Sequence, residues 1–122
     1  MSDAALREDL AASFRLLDKY KMSDLTNGSV VARDPDSPET FLTHPHGMFF
    51  HEIRASDFVR IHIDGTALDP RVPVNMAVCR PAAAIFDARP DVNAIIHAHG
   101  QGVMGVAALE CGLLPISEAA FP

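Results

Sequence analysis

The segment Phe58-Val-Arg-Ile-His-Ile63 alternates apolar and polar side chains and runs directly into Asp64-Gly65. In an extended chain Val59, Ile61 and Ile63 fall on one side and Arg60 and His62 on the other, the period of a strand with one buried face. Asp-Gly tolerates the positive φ angles of a tight hairpin, so the chain is expected to return through Thr66 to Leu68, with His62 solvated. That commits the chain to an antiparallel sheet, and the sheet to a cover of helices over its apolar face.

The rest of the sequence supplies both. Ser2 can cap a helix running to about Met22, with Leu6, Leu10, Phe14 and Leu17 on one apolar face. Asn27-Gly28 is a turn, Ser29 to Arg33 a short strand, and Asp34-Pro-Asp-Ser-Pro38 a polar loop. A second strand, Thr40 to Thr43, follows antiparallel to the first, and His44-Pro-His-Gly47 is a further turn. Ala82 to Ala88 is helix-rich; that helix either begins with Pro81 at its first position or starts near Asn75 and kinks. Val92 to His99 is expected as a buried strand, and Gly102 to Leu109 as a helix closed by Gly112, with Pro115 beyond it. The order gives an α/β fold, an α/β/α sandwich on a largely antiparallel central sheet.

The chain's 122 residues fit one domain, 1–122, with enough buried surface for a core. Net charge is −6, and Lys and Arg form no basic stripe, which argues against a nucleic acid partner. The acidic, amphipathic start MSDAALREDLAASF is no signal peptide, and no apolar run reaches the roughly 20 residues that span a bilayer. Cys79 and Cys111 form no CxxC pair and read as reduced structural thiols. A cytoplasmic protein that does not enter membranes is expected.

The chemistry concentrates in Asn93-Ala-Ile-Ile-His-Ala-His-Gly100. On a strand, His97 and His99 share a face and can reach one ion. A catalytic zinc site keeps three protein ligands and an open position, and HxH supplies two. On these residues alone, a metal pair and two polar strand-end histidines both remain open. The strand leads through a glycine into a helix, a position where ligands commonly bind.

The chain as a whole resembles the class II aldolase/adducin family. Six segments carry the resemblance in order: Leu25-Thr-Asn-Gly-Ser-Val-Val-Ala-Arg33, Phe41-Leu-Thr-His-Pro-His-Gly47, Glu52-Ile-Arg-Ala-Ser-Asp-Phe-Val59, Asp64-Gly65, Ala88-Arg-Pro-Asp-Val-Asn-Ala-Ile-Ile-His-Ala-His99, and Cys111-Gly-Leu-Leu-Pro-Ile-Ser117. The resemblance implies an α/β/α fold, a homotetramer, and a zinc ion held by three histidines, two of which map onto His97 and His99. It implies a lyase-type activity, aldolase or decarboxylase-like, on a small hydroxy-carbonyl or sugar-derived substrate through a metal-stabilised enolate. Gly28, Ser29, His44 and Gly47 map onto the substrate-binding turns.

The sequence departs from the family's aldolases in four ways. No histidine follows His99, so a third histidine ligand is missing and the domain reads as C-terminally incomplete; Glu118 is expected to be solvated. The position of the family's acid/base glutamate falls on or near Val78, which cannot transfer a proton. The phosphate-binding turn keeps Gly28 but has Ser29 and Val31 in place of its usual donors, and the paired serines become Met76-Ala77. His44-Pro-His-Gly47 replaces the family's Thr-Pro-Thr-Gly or Asn-Pro-x-Gly turn, and its histidines could bind an anionic substrate when protonated. Adducin-like members also lack the glutamate, so the alternative expectation is a non-catalytic interaction module or an inactive fragment.

Overall fold

The computed structural model describes residues 2–114 and 116. Helix α1 spans Asp3–Lys19, capped by the Ser2 side chain, which accepts from the Ala5 N–H at 3.3 Å. It stops three residues before the expected Met22. Lys21 adopts φ 57°, its N–H donates to the Asp18 carbonyl at 3.0 Å, and the Met22 N–H donates to the Leu17 carbonyl at 2.9 Å. Those paired bonds close the helix as a left-handed cap, here on a lysine where a glycine would ordinarily signal the stop.

Strands β1 (Ser29–Arg33), β2 (Thr40–Thr43), β3 (Val59–His62) and β4 (Ala94–His97) form one sheet in the order β3-β2-β1-β4, with every neighbouring pair antiparallel. The hairpin after β3 is reduced to a single bridge, Ile61 to Ala67, closed by Gly65 at φ 87°. Strand alternation then sorts the core into two layers. Val30, Ala32 and Leu42 face α1, packing with Leu10, Phe14, Phe50, Ile53 and Phe58. Val31, Phe41 and Ile61 face helix α2 (Met76–Ala88), packing with Cys79, Ala82, Ala83 and Phe86. The arrangement is the expected α/β/α sandwich.

Of the two possible starts for α2, the chain adopts the one near Asn75. The Asn75 side chain accepts from the Ala77 N–H at 3.0 Å, so the helix begins ahead of Pro81 and carries the proline inside it. Pro81 cannot donate to the Ala77 carbonyl, but both residues are exposed, where water can satisfy the orphan group.

Three expectations need correction. The strand at the histidines is shorter than Val92–His99 and is not buried. It spans Ala94–His97 at the sheet edge, where Ala94, Ile96 and His97 are exposed, because among the described residues only β1 pairs with it. Helix α3 covers Gln101–Ala107, shorter than expected, and contributes no buried residue. Cys79 is a buried core thiol whose pKa is raised by that burial, whereas Cys111 is exposed and packs no core. Pro115 and Glu118 lie outside the described residues.

Candidate metal and substrate site

The register of β4 against β1 fixes where the first histidine goes. Ser29 pairs with His97 and Val31 with Ile95, so these four residues share the sheet face that α2 covers. The chain continues past β4, and the His99 N–H donates to the Met22 carbonyl at 2.9 Å. That bond draws the strand end against the loop that leaves α1. The two rings then converge, with the Nε2 atoms of His97 and His99 2.9 Å apart and the ring centroids 4.9 Å apart. Two nitrogens on one metal, each at about 2.0–2.1 Å in tetrahedral geometry, stand only slightly farther from one another.

The histidines line a cavity of about 430 Å³ between the β1–β4 edge and the start of α2. Gly28 and Ser29 line it too, next to Asn27 and Asn75. Gly28 is required on two counts. Its φ is 102°, and a Cβ there would lie 2.9 Å from both the His97 carbonyl oxygen and the Phe50 ring. Val78 lines the same wall, so the position matched to the missing glutamate does face the cavity but presents only methyl groups. Ala77 lines it without a donor side chain, and no Lys, Arg, Asp or Glu is among the lining residues.

The turn at 44–47 is not brought to this cavity. His44 is buried at 5% exposure in the α1 layer, its ring 4.7 Å from Phe14 and 6.4 Å from Phe50. Burial, reinforced by the charge of His46, lowers its pKa to about 4, so at neutral pH it is an uncharged residue of the core. Its Nδ1 has no hydrogen-bond partner among the described residues. Gly47 sits on the surface at φ 89° with open space around it.

One residue near the site was not singled out in the sequence. Asp24 places Oδ2 3.3 Å from His99 Nδ1. The two are far apart in sequence; the pairing of Ser29 with His97 and the bond from His99 to Met22 together bring the Asp24 loop alongside. Among the described residues, no group of three or more His, Cys, Asp or Glu converges as a complete metal site. The donor set fits two ligands of a divalent ion, His97 and His99, with a carboxylate behind one of them.

Comparison with known proteins agrees with this architecture. Residues 8–121 match the Class II Aldolase and Adducin N-terminal domain. Alpha-adducin of Rattus norvegicus is 37% identical over 119 residues, covering 95% of this chain and 16% of the adducin. An aldolase II superfamily protein from Pseudomonas syringae superposes with a TM-score of 0.85 at 36% identity, over 98% of this chain and 48% of that one. The L-fuculose 1-phosphate aldolase from Glaciozyma antarctica gives a TM-score of 0.84 at 27% identity, over 96% and 49%. This chain therefore spans about half of those solved structures and a much smaller part of the adducin. Family match, sequence relatives and shared fold agree, and the chain belongs to the class II aldolase and adducin N-terminal domain family.

Proposed function

We propose that the chain carries the metal-binding part of a zinc-dependent, lyase-type active site acting on a small hydroxy-carbonyl compound. The observation behind this reading is the convergence of His97 and His99 Nε2 at 2.9 Å on the wall of a cavity that Gly28 and Ser29 also line. His97 and His99 would hold the ion, and a third ligand would come from outside the described residues. A bound divalent ion supplies Lewis-acid stabilisation for negative charge developing on a substrate oxygen.

The chain's own residues restrict the substrate. A phosphate dianion is best held by cationic donors, and this cavity offers the Ser29 hydroxyl and the Asn27 and Asn75 amides beside Val31, Val78 and Ile95, with no Lys or Arg. An unphosphorylated hydroxy or keto compound suits it better than a sugar phosphate. Val78 cannot move a proton, so proton transfer falls to water or to another group. By family resemblance the working form is a homo-oligomer.

The test is carbon–carbon cleavage by the full natural chain with zinc, on matched phosphorylated and unphosphorylated hydroxy-carbonyl compounds. Turnover of the unphosphorylated set, reduced at least about a hundredfold by His97→Ala, is expected from loss of a ligand. Undiminished turnover in that variant would refute the site.

A second reading, an adducin-like interaction module without catalysis, is favoured by the methyl-lined wall at Val78 and by the apolar surface of α3. Val103 is 73% exposed there, and Leu113, beyond the helix, is 67% exposed. A full chain that binds no metal and cleaves neither substrate set, yet self-associates, would support that reading.

A further inference from the structure

The contacts around His99 can be read as a proton arrangement. A neutral imidazole carries one N–H and one bare nitrogen, so each ring in a chain of contacts donates on one side and accepts on the other. His99 Nε2 faces His97 Nε2 at 2.9 Å, and His99 Nδ1 faces Asp24 Oδ2 at 3.3 Å. If His99 carried its proton on Nε2, its bare Nδ1 would confront the Asp24 carboxylate, two acceptors with nothing between them. If it carries the proton on Nδ1, both contacts are satisfied. Nδ1–H donates to Asp24, and His99 Nε2 accepts from the Nε2–H of His97.

We propose that Asp24 is the positioning residue for His99. By accepting the Nδ1 proton it fixes the ring's tautomer and leaves the Nε2 lone pair aimed at the point where the two histidines converge. Asp24 is itself held: the Asn27 side-chain amide donates to the same Oδ2 at 3.4 Å, and the Asn27 N–H donates to the Asp24 carbonyl at 2.8 Å. His99 is the more enclosed ring, its side chain 26% exposed. His97 is exposed, so its proton exchanges with water and can leave Nε2 when an ion takes its place. A metal-ligating histidine ordinarily donates its other nitrogen's proton to a carboxylate or carbonyl, and Asp24 supplies that partner here.

The role in ligation rests on the metal reading above; the tautomer does not, and the two are tested separately. Long-range ¹H–¹⁵N NMR of the metal-free chain at pH 8, where an ordinary imidazole is neutral, reads the tautomer of each ring. The expected result is Nδ1–H on His99 in the native chain, replaced by a mixture in Asp24→Ala and kept in Asp24→Asn, whose amide oxygen still accepts. An Nε2–H signal on His99, or no change in Asp24→Ala, would overturn the proposal.

Zinc affinity measured on the same proteins should fall about tenfold in Asp24→Ala, the lower end of the usual range because the Asp24 side chain is 43% exposed. Asp24→Asn should recover part of that loss. Equal affinity in all three would remove the role in ligation. Native chain with the expected tautomers but no zinc binding would sink the metal reading and that role with it, leaving the orienting contact standing.

Discussion

Two ends of one range of burial, the sheet's middle strands β1 and β2 and its β4 edge with α3, make the most informative comparison in this molecule. At β1 and β2, Val31, Phe41 and Leu42 are all but sealed from solvent between α1 and α2. At β4 and α3, similar side chains stand open: Ile96 is 60% exposed. The local sequences do not differ enough to explain this, since Ala94-Ile-Ile-His97 is as apolar as Ser29-Val-Val-Ala32. The difference is position: β1 has a strand on each side and helices above and below, whereas β4 has one neighbour among the described residues. The buried end supplies the stability, and the open end leaves His97 exposed and His99 partly so.

The comparison can be broken by truncating one residue at each end. Phe14→Ala removes a ring with 0% exposure that packs edge-on to Phe50 at 4.8 Å. It should cost about 3–5 kcal/mol in urea unfolding of the chain, as large core truncations do. Val103→Ser on α3 should change the same measurement by less than about 0.5 kcal/mol, the usual size for a surface substitution. A loss above about 1.5 kcal/mol at Val103 would mean that α3 is packed in solution and that the two ends are alike.

Acid sharpens the comparison, because two groups of the buried end, His44 and Asp34, titrate in different ranges. Native His44 stays neutral down to about 4, against an ordinary value of 6.5. Between those values the unfolded chain binds one more proton than the native chain, so stability falls as pH drops from about 6.5 to about 4, by up to about 3 kcal/mol. His44→Leu should flatten that part of a stability–pH curve.

Asp34 acts lower. Burial raises its pKa, but the Arg60 guanidinium, the Asp36 N–H and the Thr40 hydroxyl together outweigh burial and hold it below 3.8. Its contribution is therefore complete above that value and lost only as the pH falls through the depressed one. A native curve with no slope between pH 6.5 and 4 would contradict the buried, neutral state of His44.

Much of the buried end was legible in the sequence. Ser2 marked the first helix, the turn formers between Asp34 and Pro38 separated two strands that do pair antiparallel, and Gly28 sits where a Cβ would collide. What escaped was non-local or left no residue signature. The stop of α1 falls on a lysine, which carries no glycine signal. The sequence allows α2 to start at Pro81 or near Asn75, and the Asn75 side-chain cap decides for the second. Nothing in the Ala94–His97 run distinguishes an edge strand from a central one, since that is decided by which chains lie beside it.

The site divides the same way. The convergence of His97 and His99 follows from two-residue spacing, while Asp24 joins them through non-local contacts, the Ser29–His97 pairing and the bond between the His99 N–H and the Met22 carbonyl. Likewise His44 reads as a turn histidine available to an anion until Phe14 and Phe50 are seen around it.

The central claim is that His97 and His99 are ligands rather than polar residues at a strand end. Elemental analysis of zinc per chain, after equilibration and gel filtration, on the native protein and the His97→Ala, His99→Ala double variant tests it most directly. Near one equivalent in the native chain and none in the variant is the predicted result. No zinc in either, or equal zinc in both, would contradict the account and leave the pair as exposed strand-end histidines.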